Sequence, residues 1–173
     1  MMNADTGTTV SSIMQRDVLS VGDSWPLHQL ASFLTDNQIS GAPVTSQDGE
    51  LIGVVSLTDI VRYDSMPESR AELHDTHEYY LHTLEMQVTQ EEATSFHVEQ
   101  ESSATVRDIM TPMIFEVDQN ASIEEVADTM VKGHIHRLFV THNKKISGVV
   151  TALDMVEFLR NSFGKTDGLA REA

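Results

Sequence analysis

The sequence predicts a mixed α/β (α+β) fold in which two similar β-α-β-β-α units share one chain, with a helical insert between them. Three observations carry this. First, the segment opening Val10, Ile13, Met14 returns 96 positions later as Val106, Ile109, Met110, and at that offset Val21 falls on Val117, Ala31 on Ala127, Ile39 on Ile135 and Val44-Thr45 on Val140-Thr141. After a one-residue slip in a turn, Gly53-Val54-Val55 falls on Gly148-Val149-Val150 and Asp59 on Asp154. Second, short apolar runs alternate with stretches of helical periodicity in each copy. Third, residues 63–104 match neither copy. A repeat unit this short rarely buries its apolar face alone, so the two copies are expected to bury theirs against each other.

In the first copy a strand is expected over 18–21. Asp23 or Ser24 with Pro26 then marks a helix start, and Leu27, Leu30, Ala31 and Leu34 recur at helical spacing. In the second copy the strand falls over 114–117, Ser122 and Glu125 suit a capping box, and Val126, Ala127 and Met130 form the stripe. Asn37 and Gly133 sit where the helix C-caps belong. A buried strand follows, Ala42-Pro43-Val44 or Leu138-Phe139-Val140. The turn Gln47-Asp48-Gly49, or His142-Asn143-Lys144, leads into a hairpin partner over 51–55 or 146–150. Ser56-Leu57-Thr58-Asp59 and Thr151-Ala152-Leu153-Asp154 open the last helices. The expected organisation is a flexible N-terminus (1–9), first unit (10–62), insert (63–104), second unit (105–160) and C-terminal tail (161–173).

The insert carries ten acidic residues from Asp64 to Glu101 against one basic residue, Arg70. Leu73, His77, Tyr80, Leu81, Leu84 and Val88 fall at helical spacing, which predicts an acidic amphipathic helix. Forty residues without structure are unusual in a compact domain. His74 and His77 are three apart, with Asp75, Glu78 and His82 nearby, and are the metal-ligand candidates. A solvated acidic helix that happens to contain histidine is the better account, so no metal site is expected and the stripe is assigned to packing.

The chain has 173 residues, 27 acidic and 11 basic side chains and no cysteine. Disulfide and thiolate chemistry are excluded. A field this negative repels phosphate backbones, so nucleic acid and anionic membrane are not expected partners. No apolar run approaches the roughly 20 residues that span a bilayer, and residues 1–9 carry no signal-peptide pattern; a cytoplasmic protein is expected. Against this acidity, Lys132, His134, His136 and Arg137 stand out as a basic cluster.

Ser/Thr-x-x-Asp at a strand-to-helix junction puts a hydroxyl at the first turn and a carboxylate one turn on, on the same side. A hydroxyl for phosphate and a carboxylate accepting two hydroxyl hydrogen bonds suit a ribose phosphate. A single occurrence is better explained as a plain N-cap with an acidic first turn. Its duplication at the same place in both copies favours a ligand.

Ile39-Ser40-Gly41-Ala42-Pro43-Val44 followed by Gly53-Val54-Val55-Ser56-Leu57-Thr58-Asp59, and Ile135-His136-Arg137-Leu138-Phe139-Val140 followed by Gly148-Val149-Val150-Thr151-Ala152-Leu153-Asp154, each resemble a cystathionine-β-synthase (CBS) domain. The pair resembles a Bateman module over 10–62 and 106–160. The resemblance implies two units packed through their sheets about a pseudo-twofold axis, with two shared clefts for adenosyl ligands. It implies that Thr151 meets phosphate or ribose and Asp154 the ribose diol, with adenine near Asp17 to Leu19 and near Ile39, Ser40 and Gly41. A second cleft would use Ser56 and Asp59, with Ile114 and its neighbours and Ile135, His136 and Arg137 around the base. The His136-Arg137 pair is similar to the phosphate-contacting pair of the gamma subunit of AMP-activated kinase. Ser40 and Gly41 replace it in the first copy, so the two sites are expected to differ in affinity.

The resemblance implies a non-catalytic sensor of AMP, ADP, ATP or S-adenosylmethionine, with no catalytic cofactor. The sensor would act through a homodimer or a separate regulated protein. No Gly-rich phosphate loop, nucleophile triad or paired-carboxylate motif supports an enzyme. The alternative is a metal-responsive or protein-interaction module working through the insert.

Overall fold

The computed structural model describes residues 8–65, 103–112 and 114–164. It is a mixed α+β structure built on two three-stranded sheets. In the first copy the elements are β1 (Val21–Gly22), α1 (Leu27–Asp36), β2 (Gly41–Thr45), β3 (Leu51–Ser56) and α2 (Leu57–Ser65). A short helix, α3 (Val106–Ile109), precedes the second copy, which runs β4 (Glu116–Asp118), α4 (Ile123–Gly133), β5 (Arg137–His142), β6 (Lys145–Thr151) and α5 (Ala152–Gly164). In each sheet the first strand lies parallel to the second and the second antiparallel to the third. The opening strands are shorter than expected and begin later: paired residues start at Val21 and Glu116, although Phe139 N–H still bonds Phe115 O at 3.1 Å. The insert helix, His74 and His77 fall outside the described residues. Among the described residues no helix is long and apolar enough to cross a membrane.

The helical stripes face the cores as their spacing requires. Leu27, Leu30 and Leu34 of α1 are buried, with Val21, Ala42, Val44, Val55, Leu57, Ile60 and Val106 around the inner two leucines. In the second copy Val126 and Met130 of α4 are buried, as are Leu138, Val140 and Val150 of the sheet. Ser122 Oγ accepts from the Glu125 N–H at 3.1 Å and caps α4.

Both helix ends are Schellman closures, and neither places a glycine in the left-handed position. Gln38 (φ 56°) and His134 (φ 49°), 96 residues apart in sequence, turn the chain. Ile39 N–H then bonds Leu34 O and Ile135 N–H bonds Met130 O, each at 3.0 Å. Gly133 is the last helical residue, and a Cβ there would lie 3.3 Å from Ile135 Cδ1. The one-residue slip between copies lies in the hairpins. Thr141 pairs with Ile146 around Asn143 and Lys144, both at positive φ, whereas Thr45 pairs with Leu51 around a loop one residue longer that turns at Gly49 (φ 78°).

The chain divides into two compact units that do not follow the repeat. One comprises residues up to Val18 together with those from Phe115 onward; the other runs from Leu19 to Ile114. The segment that opens each copy is therefore built into the unit of the other copy. Gln15 forms an antiparallel bridge with Val149 of β6, two backbone bonds of 2.8 Å, and Thr111 bridges Val54 of β3 with two of 2.9 Å. Thr9 likewise bridges Ser122, and Pro26 bridges Thr105. Asp23, read from sequence as a helix cap, is instead buried and paired with Arg107 of α3, whose Nε donates to Asp23 Oδ2 at 2.9 Å. Pro26 occupies the α1 N-cap without a side-chain cap bond.

This exchange explains the glycines before Ser56 and Thr151. A Cβ on Gly53 would lie 2.7 Å from Thr111 O, and one on Gly148 would lie 2.7 Å from both Gln15 O and Met14 Sδ. Each glycine admits the crossing backbone against its strand. Gly53→Ala is expected to cost about 2 kcal/mol by overpacking, read as a lower urea midpoint at unchanged slope.

Candidate functional site

Each Ser/Thr-x-x-Asp turn forms where a buried strand runs directly into a helix. In the first copy Asp59 Oδ2 accepts from the Ser56 N–H and from Ser56 Oγ, both at 2.8 Å. In the second, Asp154 Oδ2 accepts from the Thr151 N–H at 2.7 Å and from Thr151 Oγ1 at 2.6 Å. The hydroxyls are only weakly placed to cap, with Asp59 N–H 3.4 Å from Ser56 Oγ and Asp154 N–H 3.3 Å from Thr151 Oγ1. The same arrangement opens α3, where Asp108 Oδ2 accepts from the Thr105 N–H and Oγ1 at 2.7 and 2.9 Å. The local geometry is therefore that of a helix start wherever the motif occurs. What distinguishes the three turns is their surroundings.

Ser56 and Asp59 are 1% and 5% exposed. Burial pushes the Asp59 carboxyl up from its ordinary 3.8 to about 6, against the hydrogen bonds from Ser56 and the nearby charge of Arg62. Asp154 and Thr151 are only half-buried. Burial alone would raise the Asp154 pKa, but hydrogen bonds from Thr151 and from Gln15 outweigh it and hold the carboxyl below its ordinary value. Gln15 Nε2 donates to Asp154 Oδ1 at 3.1 Å, across 139 positions of sequence. One carboxylate oxygen thus serves the helix start, and the other accepts from an exposed amide.

Among the remaining sequence candidates, the strand starts adjoin these turns. Within each unit the adjacent strand start belongs to the same copy: Gly41 pairs with Ser56 and Leu57 N–H bonds Ser40 O, next to the half-buried Ile39. Arg137 pairs with Thr151 and Ala152 N–H bonds His136 O, next to the buried Ile135. Leu19, 44% exposed, and Ile114 stand at the two ends of one compact unit, so Leu19 is grouped with Ser56 and Asp59, whereas Asp17 and Val18 are grouped with Thr151 and Asp154. His136 is exposed and Arg137 half-buried beside the accessible Asp154 turn. Of the basic cluster, Lys132 is paired with Asp128 at 2.5 Å on α4. Among the described residues no group of three or more His, Cys, Asp or Glu side chains is arranged to hold a metal ion. Sequence reasoning missed Gln15. Its only signal is its place directly after the repeated Ile-Met pair, opposite Thr111.

A family model for the CBS domain matches residues 10–65 and again residues 106–161. The chain belongs to the CBS-domain family. As a CBS-domain protein it is similar to the uncharacterized protein MJ1426 of Methanocaldococcus jannaschii, 29% identical over 154 residues that make up 87% of this chain and 90% of that protein. Its fold is that of solved CBS domain pairs. The crystal structure of CBSX2 in complex with AMP has a TM-score of 0.58 at 21% identity, covering 90% of this chain and 98% of that one. The CBS domain pair of MJ0100 in complex with 5′-methylthioadenosine and S-adenosyl-L-methionine has a TM-score of 0.56 at 17% identity, again covering 90% of this chain and 98% of that one.

Proposed function

We propose that this CBS-domain protein is a non-catalytic regulatory module that binds an adenosyl ligand, AMP, ADP, ATP or S-adenosylmethionine, at the Thr151–Asp154 turn. The observation that carries this reading is the state of Asp154: ionised, half-buried, with Oδ1 turned to a surface amide. An ionised carboxylate accepts hydrogen bonds without donating, which suits the two hydroxyls of a ribose. Arg137 and His136 stand beside the same turn, and a guanidinium fork suits the phosphate that follows the ribose. The first copy offers a buried Asp59, its pKa raised by that burial, and no His-Arg pair, so we assign it little or no phosphate-bearing ligand. One structural neighbour is in complex with AMP and another with 5′-methylthioadenosine and S-adenosylmethionine, which supports the ligand class.

The signal would pass as a change of conformation or of assembly, for which a coupling of about 1–3 kcal/mol is enough. A homodimer suits the surface of α5, where Leu153, Val156, Leu159 and Phe163 are 75%, 59%, 49% and 56% exposed along one helix. Calorimetry against AMP, ADP, ATP and S-adenosylmethionine, with chromatography of the recovered ligand, tests the reading. Binding with the ligand returned intact supports a sensor; turnover, or no binding by any of the four, removes it. Arg137→Ala is expected to weaken AMP about tenfold while leaving adenosine within about twofold. Equal losses for both would take the phosphate role from Arg137.

A further inference from the structure

We infer that Gln15 is an internal stand-in for the ligand's ribose: its side-chain amide occupies the outward oxygen of Asp154 until a diol displaces it. The inference rests on the assignment of the ligand to the Thr151–Asp154 turn and adds to it a built-in competitor.

The geometry makes the competition local. Gln15 is fixed by its backbone, which exchanges two hydrogen bonds of 2.8 Å with Val149 of β6. Side chains alternate along a strand, so Gln15 opposite Val149 shares a face with Thr151, two residues on. From there its Nε2 reaches Asp154 Oδ1 at 3.1 Å. The residue is exposed, so its side chain can swing into water without disturbing the backbone bridge. A ribose hydroxyl is the same kind of partner, a neutral donor to a carboxylate, so diol and amide compete for one acceptor.

The other compact unit shows what the position looks like without such a partner. Thr111 occupies it, bridging Val54 as Gln15 bridges Val149. Its hydroxyl is buried, Thr111 being 1% exposed, and Thr111 Oγ1 has no hydrogen-bond partner among the described residues. The compact unit whose carboxylate is accessible is therefore the one that carries the longer, amide-bearing side chain. Because that amide belongs to the segment grafted from the start of the chain, its release also frees a side-chain bond between that segment and the α5 turn.

Calorimetric titration of the full-length protein with adenosine and with AMP tests this in Gln15→Ala and Gln15→Asn, alongside Asp154→Ala. Asparagine keeps the amide but is one methylene too short to reach. Both Gln15 variants are expected to bind adenosine about fivefold tighter than the native chain, the gain from no longer breaking one hydrogen bond to a charged acceptor. The Gln15 side-chain amide resonances are expected to move toward free-amide positions when the native protein is saturated with adenosine. Equal or weaker binding by both Gln15 variants, with Asp154→Ala still impaired, leaves the site standing and overturns the stand-in role. Native affinity in Asp154→Ala removes the site and the competitor together.

Discussion

Asp154→Ala is expected to weaken adenosine binding by about a hundredfold. Two hydroxyl bonds to a charged acceptor are worth about 3 kcal/mol together, which is that factor in affinity. The carboxylate is already ionised at neutral pH, because the bonds from Thr151 and Gln15 outweigh its partial burial, so the native site does not have to lose a proton first. The substitution also removes the acceptor at the start of α5, at a cost of about 1 kcal/mol in stability. Asp108→Ala supplies the matching control, since Asp108 holds the same bonds to Thr105 at the start of α3. It is expected to lose similar stability and no affinity. Calorimetry with a thermal melt on each variant separates the two effects, and an Asp154→Ala protein that binds like Asp108→Ala contradicts the assignment.

The second large effect is on stability and comes from the buried twin. Asp59 is raised from 3.8 to about 6 chiefly by burial. A carboxyl raised in this way binds more protons folded than unfolded between about pH 4 and pH 6. Its support for the fold is therefore complete below about pH 4 and is lost as pH rises through about 6. A rise of this size corresponds to about 3 kcal/mol. Asp59→Asn keeps an oxygen for the Ser56 donors but cannot ionise. The difference in urea unfolding free energy between native and Asp59→Asn proteins should shift by about 3 kcal/mol in favour of the variant between pH 4 and pH 7. A difference that stays flat over that range would show that Asp59 remains ionised in the fold.

Patterns within one segment were legible in the sequence. Leu27, Leu30 and Leu34 lie on one face because helical spacing is a local property, and they are buried. The hairpin turns and the Ser122 cap were visible for the same reason. Contacts made across long stretches of chain were not. Asp23 reads as a cap because it precedes Pro26, yet its partner Arg107 is 84 positions away. Gln15 carries no pattern that announces Asp154. The left-handed residues Gln38 and His134 were also hidden, since the eye goes to Asn37 and Gly133 beside them. At the site, the paired turns and the His136-Arg137 difference were readable, whereas the unequal burial of Asp59 and Asp154 depends on what covers each turn.

The traded opening segments determine where this chain can be cut. A truncation at a repeat boundary, such as after residue 102, would leave one fragment without the Thr111 bridge and strand the Gln15 segment on the wrong piece. The stretch from Leu19 to Ile114 holds every described part of one body in a single run, including both ends of the long acidic excursion. The acidic insert is therefore joined at both ends to the body with the buried aspartate, and a fragment of the other body alone would carry neither of its ends.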